Sequence, residues 1–227
     1  MTYTLLVGGY TSNGVRVVQF DPKTTTTGSP KLSLQESTIP AGSDPSWIIQ
    51  HPKDRNLILA VNEVEDGKLL AIKLANEESG ETTGTVISTV ASGGAHPAHL
   101  LVTEDAIISG NYTGGSILHV PYKLEPECSL TDHKDEKPSG IHVQFSGTGP
   151  NLDRQEASHP HEVYRHGEEL LIPDLGADKT WRVIKGENGW EVKGAVEYPA
   201  GAGPRHVLVH SKHARFSHIA HMYLLDH

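Results

Sequence analysis

The chain has 227 residues, 36% of them hydrophobic, enough to bury a sizeable core, and it carries a net charge of −9. No Lys/Arg-rich run offsets that charge, which argues against a nucleic-acid surface or an anionic membrane patch. No segment approaches the roughly 20 apolar residues of a membrane-spanning helix, and the lone Cys128 rules out a disulfide framework within the chain.

Taken in order, the chain reads as a series of apolar hairpins. Residues 4–10 and 14–20 form the first. Asp44-Pro45-Ser46-Trp47 then opens a strand that leads through a turn to Asn62, with a further strand over residues 67–74. The phrase returns as His96-Pro97-Ala98-His99 before Asn111 and a strand over 114–124, and as His159-Pro160-His161-Glu162 before Asp174 and a strand over 178–185. Gly203-Pro204-Arg205-His206 begins it a fourth time. Pro97 precedes Asn111 by 14 residues, and Pro160 precedes Asp174 by the same 14; Pro45 precedes Asn62 by 17. Val, Ile, Leu and Thr dominate, Gly and Pro punctuate, and no long helical pattern intervenes, so these are strands. Asn62, Asn111 and Asp174, each followed by a turn, read as turn formers.

Successive prolines lie 52, 63 and 44 residues apart, close to the ~40 to 50 residues of a propeller blade. An antiparallel sandwich would account for the alternation but not for four matching proline phrases. The predicted fold is therefore all-β, an incomplete β-propeller of about four and a half blades over residues 1–210. Two stretches depart from the repeat. Residues from about 125 to 156 form a long loop, polar in its first half and with Gly149-Pro-Asn and Arg154-Gln-Glu156 in its second; the second half is expected to return to a site. Residues 211–227 hold no turn signal and read as a tail foreign to the repeat; with the preceding His210 this end carries five of the 15 histidines. Their spacing matches no standard ligand set, so no metal is assigned.

In a propeller, equivalent positions of successive blades surround one axis. The residues after the prolines are Ser46, Ala98, His161 and Arg205, and those before are Asp44, His96, His159 and Gly203. An imidazole and a permanent cation, 44 residues apart in sequence, thus come from adjacent blades to one place. His159 and His161 share a strand face as a His-x-His pair, but no third ligand is evident for zinc.

The phrases Asp44-Pro-Ser-Trp47, Leu59-Ala-Val-Asn-Glu63, Gly94-Ala-His-Pro-Ala-His99, Gly110-Asn-Tyr-Thr-Gly-Gly-Ser116, Arg154-Gln-Glu156, Ser158-His-Pro-His161, Ile172-Pro-Asp-Leu-Gly-Ala-Asp178 and Gly201-Ala-Gly-Pro-Arg-His206 resemble the lactonase-type seven-bladed propellers. That family includes a cofactor-free 6-phosphogluconolactonase and the fungal 3-carboxy-cis,cis-muconate cyclase. The resemblance runs over about residues 4–210, and against seven blades the sequence reads as stopping partway.

The resemblance implies work without metal or cofactor on a small anionic lactone or carboxylate, either hydrolysis or lactonisation. His161 suits the acid/base role, its ordinary pKa near ~6.5 allowing both directions at neutral pH, with His159 beside it. Arg205 suits an anion clamp. Arg154, Glu63, His99 and His206 are expected to bind substrate, although His99 and His96 also suit hydrogen bonds to backbone and Glu63 also suits a turn cap. The acid that follows the Gly-Pro-Arg-His strand in the cyclase is not recognisable here. A ligand-binding propeller without turnover, favoured if His161 is shielded, and an inactive product are the other readings. The start Met-Thr-Tyr-Thr-Leu-Leu-Val lacks the basic and apolar segments of a signal peptide, so the expected compartment is cytoplasmic.

Overall fold

The computed structural model describes residues 2–10, 13–23, 30–131, 142–187 and 189–209, and every regular element among them is a β-strand. Strands β1 (Tyr3–Val7), β2 (Gly14–Asp21) and β3 (Lys31–Pro40) form the first antiparallel sheet. The second holds β4 (Ile48–Gln50), β5 (Leu57–Asn62), β6 (Lys68–Asn76) and β7 (Thr82–Ala91). In the third, β8 (Pro97–Val102), β9 (Ala106–Asn111) and β10 (Ser116–Lys123) are followed by two short strands, β11 (Ser129–Leu130) and β12 (His142–Gln144). The fourth runs β13 (Tyr164–His166), β14 (Glu169–Asp174), β15 (Lys179–Gly186) and β16 (Gly189–Glu197). Neighbours in sequence are neighbours in each sheet, as blades built from hairpins require, except that β11 and β12 both pair with β10.

The second and third blades are packed on both faces, whereas Leu5, Val7, Leu32 and Leu34 of the first blade are exposed. The six residues of β5 are all buried, with Leu57, Leu59 and Val61 packing against Leu100, Ile107 and Val120 of the third blade. Ile58 and Ala60, pointing the other way, pack against Val15, Val17 and Ile39 of the first. Period-2 alternation thus sends apolar side chains to both neighbours, which is why β5 shows no polar face. Ile108 and Ile117 repeat the arrangement against Val163, Leu170 and Ile172 of the fourth blade.

The stretch expected as one long loop contains strand. Both β11 and β12 pair with β10, at Tyr122–Lys123 and Ser116–Leu118 respectively, so together they form an outer strand in two pieces. The polar half of that stretch, residues 132–141, and the expected foreign tail, 211–227, lie outside the described residues.

The proline register is visible in the backbone. Asp44, His96 and Gly203, each preceding its proline, have φ of 49°, 50° and 54°, the left-handed region that Gly, Asp and His tolerate best. His159, in the fourth equivalent position, is not among the positive-φ residues described. The residue at the end of the next strand differs as well. Asn62 donates Nδ2–H to the carbonyls of Ala41 (2.6 Å) and Ser43 (2.8 Å), and Asn111 donates to that of Ser92 (2.9 Å), each holding the loop that leads into its own blade. Asp174 has no proton to give. It accepts instead from Ser158 Oγ (2.5 Å), His159 N (2.7 Å), Ala177 N (3.0 Å) and Trp181 Nε1 (2.8 Å), so the loop turns its N–H groups inward. All three residues are buried; they are loop clamps, a correction to their reading as turn formers.

Candidate active site

His161 and Arg205 are brought to one place by backbone that is fixed on both sides. The His161 N–H donates to Pro173 O at 2.9 Å, tying the start of the fourth blade to β14. Arg205 lies on the segment after β16, and the loop before it is held by the buried carboxylate of Asp178, which accepts from Gly201 N (2.7 Å) and Gly203 N (2.8 Å). After Arg205, Val207 N donates to Glu162 Oε2 at 2.7 Å. Gln155 joins this scaffold to the long loop. Its Nε2 donates to Asp178 Oδ1 (2.7 Å) and Leu175 O (2.8 Å), its Oε1 accepts from Asn151 N (3.2 Å), and Arg154 follows from its position. A Cβ on Gly149 would meet the end of the Gln155 side chain at 2.4 Å, so any other residue there would displace the amide from its hydrogen bonds.

The side chains enclose a cavity of about 380 Å³ lined by Asn151, Arg154, Gln155, Leu175, Gly201–Gly203 and Arg205. At its edge the Arg205 guanidinium donates through Nη2 to His161 Nε2. Because guanidinium only donates, Nε2 accepts and the ring proton is on Nδ1, which is buried without a partner among the described residues. Tyr112 touches both histidines and Arg154: its ring stacks on His159 (centroids 4.6 Å), meets His161 edge-on (5.9 Å), and its hydroxyl accepts from Arg154 Nη2 at 3.4 Å. His161 is pushed down to about 3, first by burial, then by the charge of Arg205, with His206, His99 and Arg154 adding to it. Its expected titration near neutrality is therefore corrected: it is a neutral imidazole with one usable lone pair.

The other expected site residues divide sharply. Arg154 joins Arg205 at the cavity. His159 is 3% exposed, and both ring nitrogens are occupied, Nδ1 on Tyr112 O (3.1 Å) and Nε2 on Glu156 Oε1 (3.0 Å). It contacts the Tyr112 ring and carbonyl and the long loop at Glu156. His99 is buried under Trp47 (centroids 4.1 Å) with Nδ1 accepting from Val163 N (3.3 Å); it is not among the residues lining the cavity. Burial, with the nearby His206, pushes it down to about 3. His206 lies edge-on to His161 (4.9 Å), its Nδ1 3.5 Å from Glu162 Oε1. Glu63 accepts from the Tyr10 hydroxyl at 2.9 Å and is not among the residues lining the cavity. Tyr112, Gln155 and Asp178 were not singled out from sequence, although each lies in or beside a phrase that carries the family resemblance.

The family model described as "Lactonase, 7-bladed beta-propeller" matches residues 4–224. The chain belongs to this family. A curated relative from Arthroderma benhamiae, named "Probable 6-phosphogluconolactonase", is 28% identical over 218 residues, 89% of this chain and 48% of its own length. The 6-phosphogluconolactonase of Bacillus subtilis is 24% identical, with 92% and 57% covered. Among solved structures, one described as a candidate 6-phosphogluconolactonase from Bacteroides fragilis superimposes with a TM-score of 0.70 at 26% identity, covering 92% of this chain and 58% of that one. The periplasmic gluconolactonase of Pseudomonas aeruginosa, at 24% identity and a TM-score of 0.72, shares the fold over 93% of this chain and 59% of its own. The chain thus spans about half to three fifths of the length of the proteins it matches.

Proposed function

We propose that this chain carries the anion-binding and proton-handling part of a lactone hydrolase resembling 6-phosphogluconolactonase, with a sugar-acid lactone bearing a phosphate or carboxylate as substrate. The observation that carries the reading is the Arg205–His161 pair beside a cavity that a second arginine, Arg154, also lines. Two guanidinium forks at one cavity suit an anionic group, which they can hold bidentately. A neutral imidazole suits a base: Nε2 takes a proton from water as its oxygen bonds to the lactone carbonyl carbon. The ring C–O bond then breaks, and the same proton passes to the departing alkoxide, leaving the open hydroxy acid and a neutral His161. An arginine beside the carbonyl oxygen would stabilise the negative charge that develops there. A cytoplasmic site stays within the proposal; the one cysteine, Cys128, is a free buried thiol that asks for no oxidising compartment.

The test is hydrolysis of 6-phosphogluconolactone and of unphosphorylated gluconolactone, followed by acid release in a weakly buffered solution. His161→Ala is expected to abolish turnover while the fold survives, and Arg205→Lys to weaken the phosphorylated lactone far more than the neutral one. Wild-type rates in both variants would overturn the assignment.

A further inference from the structure

We infer that Arg205 is a latch on the base: in the free protein its guanidinium occupies the Nε2 lone pair of His161, and an anion held by Arg205 and Arg154 draws the guanidinium off and frees it. The inference rests on the proposed reading of this site and adds its regulation, namely that the anionic group of the substrate switches the base on. The Nδ1 edge of the ring is buried, so Nε2 is the one lone pair that chemistry can use, and it is the atom that Arg205 covers.

The surroundings favour release. Arg205 and Arg154 line the same cavity, one on the segment after β16 and one on the long loop. Among the described residues no carboxylate forms an ion pair with Arg205. Its present partner is a neutral ring, whereas a phosphate or carboxylate offers charge and two acceptor oxygens, the stronger arrangement. Only the side chain needs to turn, because Gly203 N and Val207 N are held by Asp178 and Glu162. The charged and titratable groups acting on His161 are Arg205, His206, His99 and Arg154, with Tyr112 edge-on; the adjacent carboxylate, Glu162, is directed to Val207 N and His206. With the latch open, one of the cations that disfavour a proton on Nε2 is neutralised by the anion, and the base strengthens when substrate is present. A neutral lactone of the same ring leaves the latch closed, so the distinction falls on kcat as well as on KM.

The experiment follows the His161 imidazole nitrogens by ¹⁵N NMR, assigned by their disappearance in His161→Gln, while inorganic phosphate or 6-phosphogluconate is added to the wild-type chain. Expected are a shift of Nε2 to the value of a ring free of the guanidinium, a titration of His161 that moves up, and carbethoxylation of His161 by diethyl pyrocarbonate faster by about tenfold, equivalent to about 1.4 kcal/mol of lost latch. Arg205→Gln should show the released ring without phosphate and no further response to it; Arg205→Lys, read by modification rate, serves if the glutamine variant does not fold. Guanidinium has five donors, so it could hold an anion and His161 together. Phosphate that binds without moving the Nε2 signal, or no binding at all, overturns the latch. The readouts are separable: a clear Nε2 response with no lactone turnover would sink the hydrolase reading and leave the latch standing, and turnover with a silent Nε2 would do the reverse.

Discussion

Acidification from pH 7.5 to pH 5 tests the burial of His99 directly. In the folded chain its pKa is lowered from 6.5 to about 3, by burial first. Above pH 6.5 the ring is neutral in both folded and unfolded chains and its contribution to stability is whole. As pH falls below 6.5 the unfolded chain takes up a proton that the folded chain refuses, and stability is lost progressively until the folded value near 3 is passed. At pH 5 the gap is 1.5 pH units below the unfolded value, and at about 1.36 kcal/mol per unit the loss is about 2 kcal/mol. His99→Gln keeps an acceptor for Val163 N–H and removes the titration. Urea unfolding followed by tryptophan fluorescence, with Trp47 packed on residue 99, should show the variant less stable at pH 7.5 but with its deficit smaller by about 2 kcal/mol at pH 5. His161, lowered in the same direction, acts in both proteins and cancels. A deficit that stays constant over this range would refute a neutral, buried His99.

Two further substitutions test the scaffold. Asp174→Ala strands four donors at a fully buried position, at about 1 to 3 kcal/mol each; a large fall in thermal midpoint is expected, with Asp174→Asn intermediate, and a midpoint within a degree or two of wild type would show that the clamp carries little. Asp178→Asn loosens Gly201 and Gly203 and should weaken phosphate binding by calorimetry several-fold through Arg205 while the midpoint falls about 1 to 2 kcal/mol equivalent; unchanged phosphate affinity would show that Arg205 does not depend on this loop.

Much of the fold was legible because the proline phrases mark a backbone event, a left-handed residue followed by an inner strand, that recurs at Asp44, His96 and Gly203. The second and third strands of each blade were legible from their apolar runs. The outermost strands β3, β7 and β16 were not, since exposed and intermediate positions dominate them, with one or two buried residues in β3 and β7 and none in β16, and their sequences carry many Thr, Ser, Lys and Glu residues. The split outer strand of the third blade was hidden for a related reason. Its halves are two and three residues long, below the length at which periodicity carries information.

The site divides along the same physical line. Residues brought together by the repeat itself, His161 and Arg205, could be paired from sequence because equivalent positions of adjacent blades converge. Residues whose role depends on side-chain partners could not. His159 and His161 are two positions apart and chemically identical, yet Glu156 and the Tyr112 carbonyl occupy both nitrogens of one, while Arg205 covers a single nitrogen of the other. Gln155 and Asp178 matter because they receive or send hydrogen bonds across 20 to 25 residues of chain, a relation that no local spacing encodes. The acid/base character of His161 lies furthest from sequence. Its ordinary pKa would place it at neutrality, but burial and the surrounding cations acting together keep it a neutral imidazole, and the strongest of those cations is Arg205, the arginine proposed to engage the anion of the substrate. On the proposed reading, substrate charge and base strength are coupled through one guanidinium, which is why the proposed latch and the proposed anion specificity can be tested by the same variant, Arg205→Gln.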